Sequence, residues 1–383
     1  MSTVDPGTAS PAPMQPGFTL FALGFRPFYL LAGAYAALAV PLWALQYAGW
    51  LPGANLLWHA HEMLFGYAFA VIAGFLLTAV RAWTGRPTPT GAALAAIAAL
   101  WVAARIAALF SLAAAGIAGM LFAVAVAWGI GRPLLAAGNR RNYFFIGLVL
   151  ALGAGGIAFQ HSTRFAIAIG LDLVLFIIAV MAGRVVPMFT NNGVPGAGAS
   201  RHPVLEKLAL GSVLLLLACD ALGLEAAAAS AAAAAAVFHA VRLALWSPLR
   251  ALAKPIVWIL HLSYAWLVVH LALRGLAGFQ LAPAALATHA LTIGAIGGLT
   301  LGMMTRTSRG HTARPLVASP AEVAAYVLVM AAAAVRVLLP LAVPAWYVPA
   351  VVGSAVLWSV AFATFFVAYL PILARPRLDG QPG

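Results

Sequence analysis

The sequence predicts an all-α, polytopic membrane protein of about twelve transmembrane helices with both termini in the cytoplasm, and three observations lead there. The first is composition. Of 383 residues, 64% are hydrophobic and only 8% charged, with a mean hydropathy of +1.01, whereas a water-soluble domain carries about a quarter charged residues. The second is that apolar runs recur at the length, about 20 residues, that a helix needs to cross a hydrocarbon core. The third is the placement of the basic residues. With twelve spans, all 21 Lys and Arg except Arg105, Arg164, Arg274 and Arg336 fall on one side, as cytoplasmic loops require. A missed span would scramble every later loop.

The net charge of +13 is spread singly between apolar runs, so it reads as a set of topology signals and not as a nucleic-acid patch. Cys219 is the only cysteine. That excludes a disulfide, a CxxC pair and the CxxCH of covalent haem attachment, so any haem here is held non-covalently.

In chain order, residues 1–17 are rich in Pro, Ser, Thr and Gly without a basic n-region, and read as a disordered tail. The single membrane domain, 18–373, then holds spans at roughly 19–47, 58–80, 89–109, 113–131, 143–161, 165–187, 204–222, 226–246, 255–274, 283–305, 320–340 and 346–371, followed by a short tail, 374–383. The Ala-rich tract 226–236 counts as a span because Ala is the best helix former and suits close helix packing.

The stretch with the densest chemistry heads the second span: Trp58-His59-Ala60-His61-Glu62-Met63-Leu64-Phe65-Gly66. Ionisable groups at membrane depth are expensive and point to function, and imidazole is the commonest metal ligand. Helical residues two apart point about 200° from one another. Either His59 and His61 serve different centres, or the helix begins at His61 and His59 lies on a more pliable segment. The competing reading is an interfacial cluster satisfied by backbone and water.

His289 lies about seven residues inside the outer end of the tenth span, at a depth near that of the second-span cluster. Gly294, Gly297, Gly298 and Gly302 give that span a small-residue face, open to a flat ring or to plain helix packing. Asp172 lies at similar depth in the sixth span. It is placed to receive an imidazole N–H, or equally to pair with Arg164 or Arg105. His261 is the deeper of the two ninth-span histidines, with Tyr264 and Trp266 nearby, and is the next ligand candidate. His270 is close to the outer end, where water satisfies it. His239 reads as packed or hydrogen-bonded. A second polar group falls at cytoplasmic helix ends: Arg184, Met188, Asn191 and Asn192 closing the sixth span, Arg306 and His311 closing the tenth. These are candidate copper or anion contacts, against the simpler account that Arg at a cytoplasmic helix end obeys the charge rule.

Several of these blocks resemble the NnrS family: His59 to Gly66 with Ala73-Gly74-Phe75-Leu76-Leu77-Thr78-Ala79-Val80, Leu23-Gly24-Phe25-Arg26-Pro27-Phe28, Gly183 to Asn192, and His289 to Thr292 through Gly310-His311-Thr312. They run in order from the first span to the tenth. Arg81 and Ala313 depart from the family pattern, and spans eleven and twelve add little to it. The resemblance implies a haem- and copper-containing, multi-pass protein of the bacterial inner membrane, tied to nitric oxide metabolism and resistance to nitrosative stress in denitrifying bacteria. With that reading the haem is b-type, held by one or two axial imidazoles from different helices. The expected ligands are His289 with His59 or His61, then His261. Glu62 orients an imidazole, the four outer arginines stand as propionate partners, and copper takes the remaining imidazole with Met63. Nitric oxide or another small redox ligand is the expected partner, besides the bilayer. No nucleic acid is expected, and neither a catalytic residue nor an electron donor is assigned. The alternative class is a twelve-span secondary transporter without a redox cofactor.

Overall fold

The computed structural model describes residues 19–53 and 55–381; the N-terminal segment read as a tail lies outside them. Among the described residues the chain is helical throughout, with no strand. The long helices are α1 (Phe25–Tyr47), α2 (Leu56–Thr84), α3 (Gly91–Ala107), α4 (Leu112–Ala136), α5 (Phe144–Ala158), α6 (Thr163–Gly193), α7 (Pro203–Ala221), α8 (Glu225–Leu245), α9 (Pro255–Gly278), α10 (Ala284–His311), α11 (Pro320–Ala342) and α12 (Tyr347–Leu373). Each apolar run read from the sequence falls on one of them. Ten are long and apolar enough to cross a membrane. The other two are α3, which has 17 residues, and α7, which carries Glu206, Lys207 and Asp220.

Local chemistry sets the helix limits. Asn55 starts α2 by accepting from the Leu57 and Trp58 backbone N–H groups at 2.9 and 3.1 Å, the N-cap role its short side chain suits. Ser319 and Glu322 form a capping box at the head of α11. Pro203, Pro255 and Pro320 open α7, α9 and α11, where a missing N–H costs nothing.

The two ends of the described chain meet. The Thr19 N–H donates to Ala374 O at 3.4 Å, and Leu378 N–H to Thr312 O at 3.3 Å. Arg26 Nη1 donates to the carbonyls of Leu373 and Arg375, both at 2.8 Å. The start of α1 and the finishes of α10 and α12 therefore share one face. It follows that α2 and α10 both begin at the opposite face and run back.

The interior is unusually charged and the exterior apolar. Glu62, Arg105, Asp172, Arg242, Glu322 and Arg336 are buried, while Leu38, Ile117, Leu121, Val237, Val327 and Val367 are exposed, the arrangement expected of a bundle whose solvent is lipid. At the centre, α2 is the most enclosed helix, with 83% of its apolar window buried against 33% for α12. Helices α2, α6 and α10 together line a small apolar cleft of about 100 Å³, between Val71, Ile178 and Leu299. The sixth, second and tenth spans are thus neighbours.

Candidate functional site

Because Asn55 starts the helix before His59, both histidines are helical. This removes the reading in which the helix begins at His61. The two rings then diverge as their spacing requires. His59 stacks on Trp43 of α1, with ring centroids 4.0 Å apart and planes 19° from parallel. His61 turns the other way, between Phe65 and Phe159 at 5.3 and 5.2 Å.

After each histidine the backbone widens. Residues Glu62–Ala68 of α2 and Ala290–Gly297 of α10 are π-helical, a conformation rare in general and common at functional sites. The two helices are tied by Tyr67, whose hydroxyl lies 2.5 Å from Thr300 Oγ1.

His59 and His289 line one cavity of about 470 Å³. It opens between α1 (Val40, Trp43, Tyr47), α2 (His59, Met63, Tyr67), α6 (Ile167, Leu171), α10 (His289, Thr292, Ile296), α11 (Arg336) and α12 (Tyr347, Ser354, Trp358). His289 Nδ1 lies 2.6 Å from Ala285 O. A carbonyl only accepts, so that nitrogen carries the proton and Nε2 keeps the lone pair. His59 Nδ1 is buried without a hydrogen-bond partner. Arg336 is the cation among the lining residues. Its Nη2 donates to the Tyr347 hydroxyl at 2.9 Å, while Nη1 is buried and unpartnered.

The other three arginines that the sequence sets apart are engaged elsewhere or exposed. Arg105 pairs with Glu62 at 2.6 Å, Arg274 is held by Asp172 and Asp220, and Arg164 is exposed at the start of α6. Asp172 thus pairs with neither Arg164 nor Arg105. Glu62 does orient an imidazole, but that of His61, whose Nδ1 donates to Oε1 at 2.7 Å; Tyr35 also donates to this carboxylate. His61 is not among the residues lining the cavity, so Met63, which is, and His61 lie on different sides.

The remaining histidines fall away from the cavity. His261 Nε2 donates to Thr190 Oγ1 at 2.8 Å; that hydroxyl gives its own proton to Val186 O at 2.8 Å. This places His261 against the far half of α6, and it does not join His59 and His289. His270 is buried and donates through Nδ1 to Ala287 O at 2.8 Å, so backbone, not water, takes that proton, while Nε2 is buried without a partner. His239 bonds Ala209 O and the Tyr264 hydroxyl, the packed role its sequence context suggested. The glycine face of α10 is filled by side chains. A Cβ on Gly294 would overlap Trp266, and one on Gly297 would overlap Trp358.

The second polar group does not assemble. Arg306 lies over the Phe189 ring at 3.8 Å, which sets the ends of α6 and α10 side by side. Arg184 instead donates to Asn142 Oδ1 at 2.7 Å, and Asn191 exchanges hydrogen bonds with the Ala199 backbone at 2.8 and 2.9 Å. His311 packs on Phe25, while Met188 and Asn192 are exposed.

What the sequence missed is the contribution of α1 and α12. Trp43, Tyr47, Tyr347 and Trp358 wall the cavity. For Trp43, Tyr47 and Tyr347 an aromatic residue near a helix end is the available signal, shared with every interfacial belt, and Trp358, well inside α12, carries none.

Fold and cavity define a polytopic helical membrane protein in which two histidine-bearing helices, each with a π-helical turn, enclose an apolar chamber with a single arginine. The chain belongs to the NnrS family, whose profile matches residues 19–377. Membership suggests a role in the response to nitric oxide. No curated protein matches the chain.

Proposed function

We propose that this chain is a twelve-span protein of the bacterial inner membrane, with cytoplasmic termini, that holds a b-type haem between His59 and His289. In this reading it acts in nitric oxide metabolism or nitrosative-stress resistance by binding nitric oxide or a derived species there. The observation that carries the reading is that two imidazoles from separate helices share one apolar cavity. Its size and walls suit a group buried mostly by hydrophobic and aromatic side chains with few polar contacts.

Bound haem supplies a redox-active iron, and the chain's own residues hold and orient it. His289 is oriented by its bond to Ala285 O, which leaves Nε2 to ligate, the supporting contact a ligating imidazole ordinarily has. His59 is positioned by its stack on Trp43 and has no hydrogen bond at Nδ1. It is the less tethered of the two. Arg336, with Nη1 free and Tyr347 bracing Nη2, is suited to hold a carboxylate in a fork-like contact. The apolar walls from Ile167, Leu171, Ile293 and Ile296 keep water out.

Copper does not fit in the same way. Its expected donors, His61 and Met63, are on different sides of α2. Among the described residues no group of three His, Cys, Asp or Glu side chains is placed to hold a metal. Copper therefore has no step in the proposed function.

The test is optical and redox spectroscopy of protein purified in detergent after expression with ample haem, followed by nitric oxide addition to the reduced form. A pigmented protein with a non-covalent haem and a nitric oxide-dependent spectral change supports the reading. A colourless protein that moves a solute along a proton gradient in vesicles would replace it with the transporter alternative.

A further inference from the structure

Outside the histidine cavity, buried charge is out of balance where α6, α7 and α9 meet. Arg274 of α9 reaches Asp172 Oδ1 of α6 at 2.5 Å with Nη1 and Asp220 of α7 with Nη2. Two carboxylates thus share one guanidinium, which leaves an excess negative charge if both are ionised. Asp172 is 0% exposed, against 16% for Asp220 and 21% for Arg274. A charge left unmatched in such a place is strongly unfavourable.

A second observation concerns the oxygen that Arg274 does not reach. Asp172 Oδ2 is buried and has no hydrogen-bond partner, while the Asp220 carboxylate is held on the other arm of the same guanidinium. Two bare carboxylates drawn to one guanidinium repel each other. A single proton shared by them relieves that repulsion and brings the triad to zero net charge. The other ionisable groups nearby each have at least one bond, although His270 Nε2 and His61 Nε2 are buried without a partner. His270, one turn before Arg274, is bonded to Ala287 O. On α2, His61 and Glu62 are bound to one another, and Glu62 to Arg105.

The geometry points to a proton-binding site at Asp172 and Asp220, in which the two carboxyls hold one proton with Arg274 as fixed counter-charge. Asp220 and Arg274 sit near the finishing ends of α7 and α9, at the face opposite the start of α1 and the end of α12, and both are partly exposed. The proton therefore exchanges with water on that side. Asp172 directly follows Leu171, which lines the histidine cavity, so an exchangeable proton is held immediately behind the cavity wall. This goes beyond the haem reading and does not depend on it.

Infrared spectroscopy of the protein in lipid nanodiscs across a pH series tests the site, with or without haem. Near neutral pH the wild type is expected to show the carbonyl stretch of a protonated carboxyl that is lost in both Asp172→Asn and Asp220→Asn. In Arg274→Gln, where the counter-charge is gone and both carboxyls take protons, the same band is expected to double. A wild-type protein without the band near neutral pH, or a band that survives in both Asn variants, overturns the assignment. Should Asp172→Asn fail to fold, Asp220→Asn and the wild-type titration still decide.

Discussion

His59 and His289 stand on different helices, and each is followed by a π-helical stretch, Glu62–Ala68 in one and Ala290–Gly297 in the other, yet both reach a single cavity. One widened stretch begins three residues after His59 and the other directly after His289, and the two imidazoles enter one space. The proposed haem site rests on that pairing.

His61 is the control for it. Its ring is committed to Glu62 and to Phe65 and Phe159, away from the cavity. His61→Asn is therefore expected to leave the haem spectrum of the purified protein unchanged. Glu62→Gln is a different matter, because it strands the buried Arg105 cation. A loss of about 3–5 kcal/mol is expected, read as a lower thermal unfolding temperature.

Arg336 is expected to govern how firmly the cavity retains a carboxylate-bearing ligand. Losing a charged hydrogen bond costs about 1.5–3 kcal/mol, so Arg336→Gln should release haem to an excess of acceptor protein at least ten-fold faster. Tyr347→Phe, which removes only the brace on Nη2, should have a smaller effect. Equal release from Arg336→Gln and wild type would remove Arg336 from the site.

Gly183 tests the packing of the charged interior. A Cβ there would overlap Arg242 Nη2 and stand 2.7 Å from its Cζ. That guanidinium cannot retreat, because Glu206, the Ala179 carbonyl and the Tyr264 hydroxyl hold it. Gly183→Ala should cost about 3 kcal/mol, the upper range for overpacking, measured by thermal unfolding in detergent.

Gly297 links packing to the cavity. Its substituent would press on the Trp358 indole, meeting Cη2 at 2.9 Å, and Trp358 is both tied to Ala36 O at 3.1 Å and part of the cavity wall. Gly297→Val is expected to push the indole inward and lower haem content severalfold. Gly310, with nothing within 4 Å, is the matched site where Val should leave haem content unchanged.

The sequence made the helices legible because apolar runs of membrane length leave little choice of structure. Their ends were less so. The run read as 113–131 extends over Leu112–Ala136, and the sixth span, read as 165–187, continues to Gly193, since amphipathic ends prolong a helix past its apolar part. The similar depth of His289 and the second-span histidines was legible from direction and spacing, and the divergence of His59 from His61 from the angle between them, but which of the two would face His289 was not. Which arginine would meet Asp172 was not. That depends on α9 lying beside α6, and linear spacing carries no record of helix neighbours. Nor do the π-helical stretches have a spacing of their own, and Tyr347 at the head of α12 looked like part of any interfacial belt.

Ligation of one haem by both imidazoles is decided by the absorption spectrum of haem-loaded protein in which His59 or His289 is replaced by Gly, recorded with and without free imidazole. Each variant is expected to lose the low-spin, two-imidazole spectrum, and added imidazole to restore it by occupying the space left in the cavity. Wild-type spectra in both variants without imidazole would contradict it.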